Sequence, residues 1–195
     1  NALRQFAEAG RAEVPDGESD LPPMASGAFG YIGYDFIQHI EPVEITNPDT
    51  LEVPEALLVV PGVVLIFDHL YQELLLIGRY TEGEEAYVNR LLDNVENALE
   101  SPLPLSPRDG EAEDLEFTSN TTKDQYFEMV ERARNLIKAG DIFQVVPSQR
   151  FSAPYERKSI SFYRALRRLN PSAFMFHMNL GDVRLIGSSP EILVR

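Results

Sequence analysis

Apolar positions recur at two different spacings along this chain, and the switches between them mark out its elements. Leu57–Asp68 and Tyr71–Arg79 are dense in Val, Leu and Ile, with only His69 and Leu70 between them. That composition is typical of strands, and the pair reads as an antiparallel hairpin. His-Leu is poor turn chemistry, so the turn is expected to draw in Asp68. The period then changes. Val88, Leu91, Leu92, Val95 and Leu99 fall on one helical face, and Thr81 with Glu84 three residues later has the form of a capping box. Tyr126, Val130, Ala133 and Ile137 make a second helical stripe, with Thr121 or Thr122 to cap it and Gly140 to end it in left-handed geometry. Ile142–Phe151 reads as a strand in which Pro147 demands an edge or a bulge. Ser161–Leu169 reads as a short helix stopped by Asn170-Pro171, since proline restricts the residue before it. Ala173–Leu180 and Val183–Gly187 flank a Gly181-Asp182 turn, and Ile192–Arg195 reads as a last strand.

The punctuation agrees with this division. Residues 11–25 mix Pro15, Gly17, Pro22 and Pro23 with acids and read as a loop, as does Ser101–Asp114 with Pro102, Pro104, Pro107 and Gly110. Between Ser26 and Tyr34, glycines alternate with Phe29, Tyr31 and Tyr34. Glycine in a strand pattern marks a bulge or a close backbone approach. A phosphate-cradling reading of those glycines fails, because no strand–turn–helix context follows at the required spacing. Strands come in hairpins without regular βα alternation, which argues for α+β with antiparallel sheets and packed helices, and against a doubly wound fold. No internal repeat is visible.

Composition narrows the chemistry. With 195 residues, 44% hydrophobic and 25% charged, the chain can build a core. It has no Cys, so disulfides, thiolate catalysis and Cys-based zinc sites are out of reach, consistent with a reducing cytoplasm. No apolar run approaches the ~20 residues that span a bilayer, and the longest, Leu57–Phe67, is strand-like. The net charge of −14 is unevenly spread: residues 1–120 carry 5 Lys/Arg against 24 Asp/Glu, and residues 121–195 carry 12 against 7. An acidic whole disfavours nucleic acid and anionic membrane as partners. The basic end is the better place to hold a small anion, although Arg132, Arg134, Lys138, Arg164, Arg167 and Arg168 also suit the solvated faces of two helices. His39, His69 and His177 are dispersed without metal-ligand spacing, and there is no G-x-S-x-G nucleophile elbow.

Three runs carry a resemblance: Gly140-Asp141-Ile142-Phe143-Gln144-Val145-Val146-Pro147-Ser148-Gln149-Arg150-Phe151, then Asn170-Pro171-Ser172-Ala173-Phe174-Met175-Phe176, then Gly187-Ser188-Ser189-Pro190-Glu191. In this order and at these intervals the chain resembles the anthranilate synthase large subunits among the chorismate-utilising enzymes. The Gly-aromatic run at 26–34 looks like a segment of their N-terminal part. The likeness is diffuse over residues 1–110, an N-terminal-type region, and specific over 115–195, the first part of a chorismate-binding domain.

The resemblance implies a reaction: chorismate and ammonia to anthranilate and pyruvate, with Mg²⁺ on the substrate carboxylate. The ammonia would come from glutamine through a partner amidotransferase subunit, and tryptophan would inhibit. Glu191, just after the Ser-Ser-Pro bend, would be catalytic, positioning or deprotonating the nucleophile or assisting loss of the C4 hydroxyl. On residue type alone an exposed Glu at a strand start is the commoner case. Ala173, Phe174 and Met175 would belong to the tryptophan site, where the family usually has Pro, Tyr and Met; a φ constraint and a hydroxyl are lost here. Phe174, Met175 and Phe176 also suit a strand core. Gln149 and Arg150 receive no chemical step. The family's Mg²⁺ ligands and much of its catalytic apparatus correspond to positions beyond Arg195, so the chain reads as a fragment inactive alone. Two alternatives stand beside this: the aminodeoxychorismate synthase large subunit, and a non-catalytic module for effector binding and subunit docking.

Overall fold

A computed structural model describes residues 2–9, 21–25, 27–102 and 114–192. Among the described residues, four α-helices and eight strands follow one another as α1 (Ala2–Ala9), β1 (Phe29–Ile32), β2 (Ala56–Val59), β3 (Val63–Asp68), β4 (Glu73–Gly78), α2 (Glu85–Glu100), β5 (Thr118–Ser119), α3 (Lys123–Ala139), β6 (Phe151–Ser152), α4 (Ser159–Leu169), β7 (Phe174–Leu180) and β8 (Val183–Ser189). The strands form four two-stranded antiparallel ladders, β1–β2, β3–β4, β5–β6 and β7–β8. The class is α+β, as the hairpin-rich pattern implies. The chain divides into two compact units, one of residues 1–106 with 173–195, the other of residues 107–172. The first boundary falls in the proline-rich stretch. The second differs from the sequence-derived regions 1–110 and 115–195, since it groups β7–β8 with the first unit.

In the first unit, β1 and β2 pair with Gly30 opposite Leu58. A side chain at Gly30 would collide with the Leu57 carbonyl, which accounts for one of the glycines in the aromatic run. A short 3-10 turn, Tyr34–His39, follows β1 and is fastened to the chain just before β2. His39 Nε2 lies 2.6 Å from Glu55 Oε2, and Gln38 Nε2 donates to Glu55 Oε1 at 2.8 Å.

The single apolar run expected over Leu57–Asp68 is split. Its first part pairs with β1 and its second with β4, because Pro61 has no N–H for a ladder and Gly62 follows it. The β3–β4 turn does use Asp68, whose Oδ1 accepts from the amides of Leu70 (2.8 Å) and Tyr71 (3.1 Å), with Gln72 at φ 56°.

Helix α2 seats on this hairpin through Val88, which is 3% exposed. The seat is Gly78 of β4, where a Cβ would stand 2.7 Å from Val88 Cγ1 and 2.9 Å from Leu92 Cδ1. The helix starts three residues later than a Thr81 cap would place it. Glu84 is the N-cap residue, and Gly83 at φ 92° turns the chain ahead of it. Thr81 and Glu84 still meet, with the Thr81 hydroxyl donating to Glu84 Oε2 at 2.6 Å, and this bond holds the carboxyl below its ordinary value of 4.5.

The last hairpin pairs all seven residues of β7 with those of β8 around Gly181 (φ 78°) and Asp182, the turn read from the sequence. Phe176 faces Gly187 across it, and its ring occupies the space a Gly187 side chain would need.

In the second unit, Thr122 caps α3 in a reciprocal box: its Oγ1 accepts from the Gln125 amide at 3.3 Å, and Gln125 Oε1 accepts from the Thr122 amide at 2.9 Å. Gly140 at φ 83° ends the helix as expected, with its amide on Ile137 O and that of Asp141 on Leu136 O. The strand expected over Ile142–Phe151 is shorter. Only Phe151–Ser152 enters a ladder, against Thr118–Ser119, while Asn120 brackets Arg150 by accepting from its amide at 2.8 Å and donating to its carbonyl at 3.1 Å. Strand propensity without a partner ladder leaves 142–150 irregular, and Phe143 is fully exposed. Helix α4 ends at Asn170, whose amide reaches Leu166 O at 2.8 Å. Most of the loops expected at 11–25 and 101–114, and residues 193–195 of the expected last strand, lie outside the described residues; Ile192 is not in a strand.

Two measurements check this packing. Gly78→Val drives a branched side chain into Val88 and Leu92 and is expected to destabilise the first unit by about 1–3 kcal/mol, read from chemical denaturation. The Glu84 carboxyl should titrate below 4.5 in an NMR pH series and move back up in Thr81→Val. A depressed folded pKa means that this bond supports the fold above the unfolded value and is lost as pH falls through the folded one.

Candidate functional site

The two segments singled out for chemistry, Ala173–Met175 and Ser188–Glu191, meet on one end of one hairpin. Phe174 pairs with Ser189 and Met175 with Ser188, the last two rungs of the β7–β8 ladder. Ala173 directly precedes the first rung, and Glu191 lies two residues beyond Ser189. A two-residue turn at Gly181-Asp182 dictates this, since counting six residues back from Leu180 and six on from Val183 arrives at Phe174 and Ser189. The signal is present in the sequence, in the equal lengths of the two runs, Phe174–Leu180 and Val183–Ser189, that flank Gly181-Asp182.

The bend at the end of β8 is closed locally. Ser189 Oγ donates to the Glu191 carbonyl at 3.3 Å and accepts from the Glu191 amide at 3.4 Å, spanning Pro190. Proline fixes φ near ~−65°, so the backbone feeding Glu191 has little freedom. Glu191 itself is exposed, and it lines none of the concavities described below. Phe174 is 42% exposed and Ala173 is exposed, while Met175, Phe176, His177 and Met178 are half-buried. Phe174 is thus partly open to solvent, while the Phe176 ring covers Gly187.

The first unit holds a concavity of about 510 Å³ lined by Phe29, Val59, Pro61, Val63–Leu65 and Phe176–Leu180. It is mainly apolar, with His177 and Asn179 as its polar wall. His177, one of the three dispersed histidines, belongs to it. In the second unit, Gln149 lines a separate hollow of about 320 Å³ with Lys123, Tyr126, Phe127 and Phe151. Arg150, its neighbour, is held by the Asn120 bracket already described, a structural placement. Sequence reasoning did not identify the apolar concavity, because its walls come from strands far apart in the chain.

The whole chain, residues 1–195, matches the family described as chorismate binding enzyme. Among curated relatives, anthranilate synthase component 1 of Cereibacter sphaeroides is 39% identical over 206 aligned positions, covering 99% of this chain and 40% of the relative. The protein of the same name from Thermus thermophilus is 41% identical over 176, covering 90% and 38%. A solved structure, anthranilate synthase component I from Streptococcus pneumoniae TIGR4, superposes with a TM-score of 0.81 at 33% identity, covering 98% of this chain and 44% of that one. The chain therefore spans about 40% of the length of the first two relatives.

Proposed function

We propose that this chain, which belongs to the family of chorismate binding enzymes, forms part of an anthranilate synthase large subunit. The observation that carries this reading is the match of 99% of the chain to a component 1 relative at 39% identity. The relatives quoted share that one name, which gives no support to the aminodeoxychorismate alternative. In the proposed reaction ammonia adds at C2 of chorismate, the C4 hydroxyl leaves as water, and the enolpyruvyl group is then eliminated as pyruvate.

Glu191 is the residue of this chain proposed to act on the reacting groups, by moving a proton to the departing hydroxyl or from the incoming nucleophile. The support is local: its backbone is held by Ser189 and Pro190, so the carboxylate leaves a fixed bend at the end of β8. Ala173, Phe174 and Met175 are proposed to receive tryptophan, with the exposed Phe174 ring stacking on the indole. Ammonia is proposed to come from an amidotransferase partner, and the setting is proposed to be cytoplasmic. No helix among the described residues is long and apolar enough to cross a membrane. Mg²⁺ is expected of the reaction, but no group of His, Asp or Glu among the described residues is arranged to hold a cation, and no step is assigned to a metal here.

The test is a chimaera in which this chain replaces the matched stretch of the Thermus thermophilus relative. With chorismate, Mg²⁺ and ammonium it should form anthranilate, followed by its fluorescence, whereas the 195-residue chain alone should form none. Glu191→Gln in the chimaera should lower kcat by about 10²–10⁴-fold, the range for a lost acid–base group. A folded chimaera without anthranilate formation, or a Glu191→Gln variant of unchanged kcat, would sink the respective claim.

A further inference from the structure

The second unit carries a hollow that the proposed reaction leaves unused, and its walls follow from local structure. The β5–β6 ladder pairs Ser119 with Phe151, and the Asn120–Arg150 hydrogen bonds carry the pairing one position further. Side chains alternate along such a ribbon, so Gln149 and Phe151 share a face, as do Ser119 and Thr121, and all four line the hollow. The opposite wall is the first turn of α3. Its start is fixed directly after Thr121 by the Thr122–Gln125 box, and it presents Lys123, Tyr126 and Phe127.

The chemistry of these walls is one-sided. Tyr126, Phe127 and Phe151 supply flat apolar surface, and the last two are each 58% exposed. Among the described residues, Lys123 is the only charged side chain on the walls. It has no ion-pair partner among them, and its ammonium lies 5.5 Å from the centroid of the Phe127 ring, a cation–π contact that holds it beside the hollow. The Gln149 side chain makes no hydrogen bond among the described residues, so its carboxamide is open to a ligand. The capping box already occupies the Thr122 and Gln125 amides, so side chains and not the helix end are the donors here. A lone ammonium matches a monoanion, since a phosphate calls for several charge-assisted donors. The volume of about 320 Å³ is at the low end for small-molecule sites and suits a single ring.

We propose that this hollow binds a small aryl carboxylate, with its ring on the aromatic wall, its carboxylate on the Lys123 ammonium, and the Gln149 amide donating to the same group. The site lies wholly in the second unit, so it stands or falls apart from the functional reading above. It gives Gln149 a task that the reaction does not.

The test uses the 195-residue chain with phenylacetate as the probe, followed in amide NMR spectra. Phenylacetate should shift the Gln149 side-chain amide and the Lys123 backbone amide saturably. Phenylacetamide, which lacks the charge, and acetate, which lacks the ring, should each bind about fivefold more weakly or worse. Lys123→Gln should weaken phenylacetate about fivefold, the upper end for an exposed ion pair, and Lys123→Arg should retain it. Gln149→Glu, isosteric and at an exposed position, puts a carboxylate in the hollow and should abolish the Lys123 shift. Lys138→Gln removes the same charge from the far end of α3 and should leave the affinity unchanged. Equal affinity for phenylacetamide, an unaltered titration in Gln149→Glu, or a loss in Lys138→Gln matching that in Lys123→Gln would overturn the proposal. So would hollow amides that do not move with phenylacetate. An inactive chimaera counts against the functional reading alone.

Discussion

Backbone pairing between β7 and β8 is the constraint on which the candidate site depends. A two-residue turn leaves no slack in register, so every residue of one strand is committed to a partner on the other once Gly181 adopts its left-handed φ of 78°. A slip of one residue would turn each side chain to the opposite face. It would also separate Phe174 from Ser189, and with them the aromatic and acidic segments. The bend that follows is an extension of the same ladder, locked by a serine hydroxyl and a proline.

Packing in the first unit depends on side chains that are missing. Gly30, Gly78 and Gly187 stand where a Cβ would strike, respectively, the Leu57 carbonyl, the Val88 and Leu92 side chains, and the Phe176 ring. In each case another group occupies the vacated volume, and dispersion contacts replace the entropy that glycine costs the fold. The helix α2 reaches its hairpin, and Phe176 its cross-strand seat, by the same device. Local hydrogen bonds do the rest: Asp68 in its turn, Thr122 with Gln125 at a helix start, and Asn120 around Arg150. Burial contributes less among the described residues, where only Ala25 and Val88 are buried apolar side chains and Phe143, Val146 and Leu169 stand open to solvent.

Wherever structure is made by neighbours in the chain, it could be read beforehand. The cap and left-handed end of α3, the Asn170 stop of α4 and the Gly181-Asp182 turn are set by interactions spanning at most five residues. Errors arose where a distant partner decides. Leu57–Asp68 looked like one strand because its apolar content is continuous, yet Pro61 assigns its halves to different ladders. Ile142–Phe151 has strand composition, but composition does not provide a ladder. Thr81 precedes the start of α2 by a turn, because its spacing to Glu84 is shared by a capping box and by the looser contact found here.

Sequence alone determined the class, the Gly181-Asp182 turn, both ends of α3, the stop of α4 and the residues that carry the family likeness, because those follow from propensity, turn geometry and motif order. Tertiary structure decided which strands pair, which glycines admit a neighbour, and that Phe174 and Ser189 share a rung beside Glu191. The reason is physical. Dihedral preferences and caps act over one turn of chain, whereas ladders and ring contacts form only when segments far apart in sequence have been brought together.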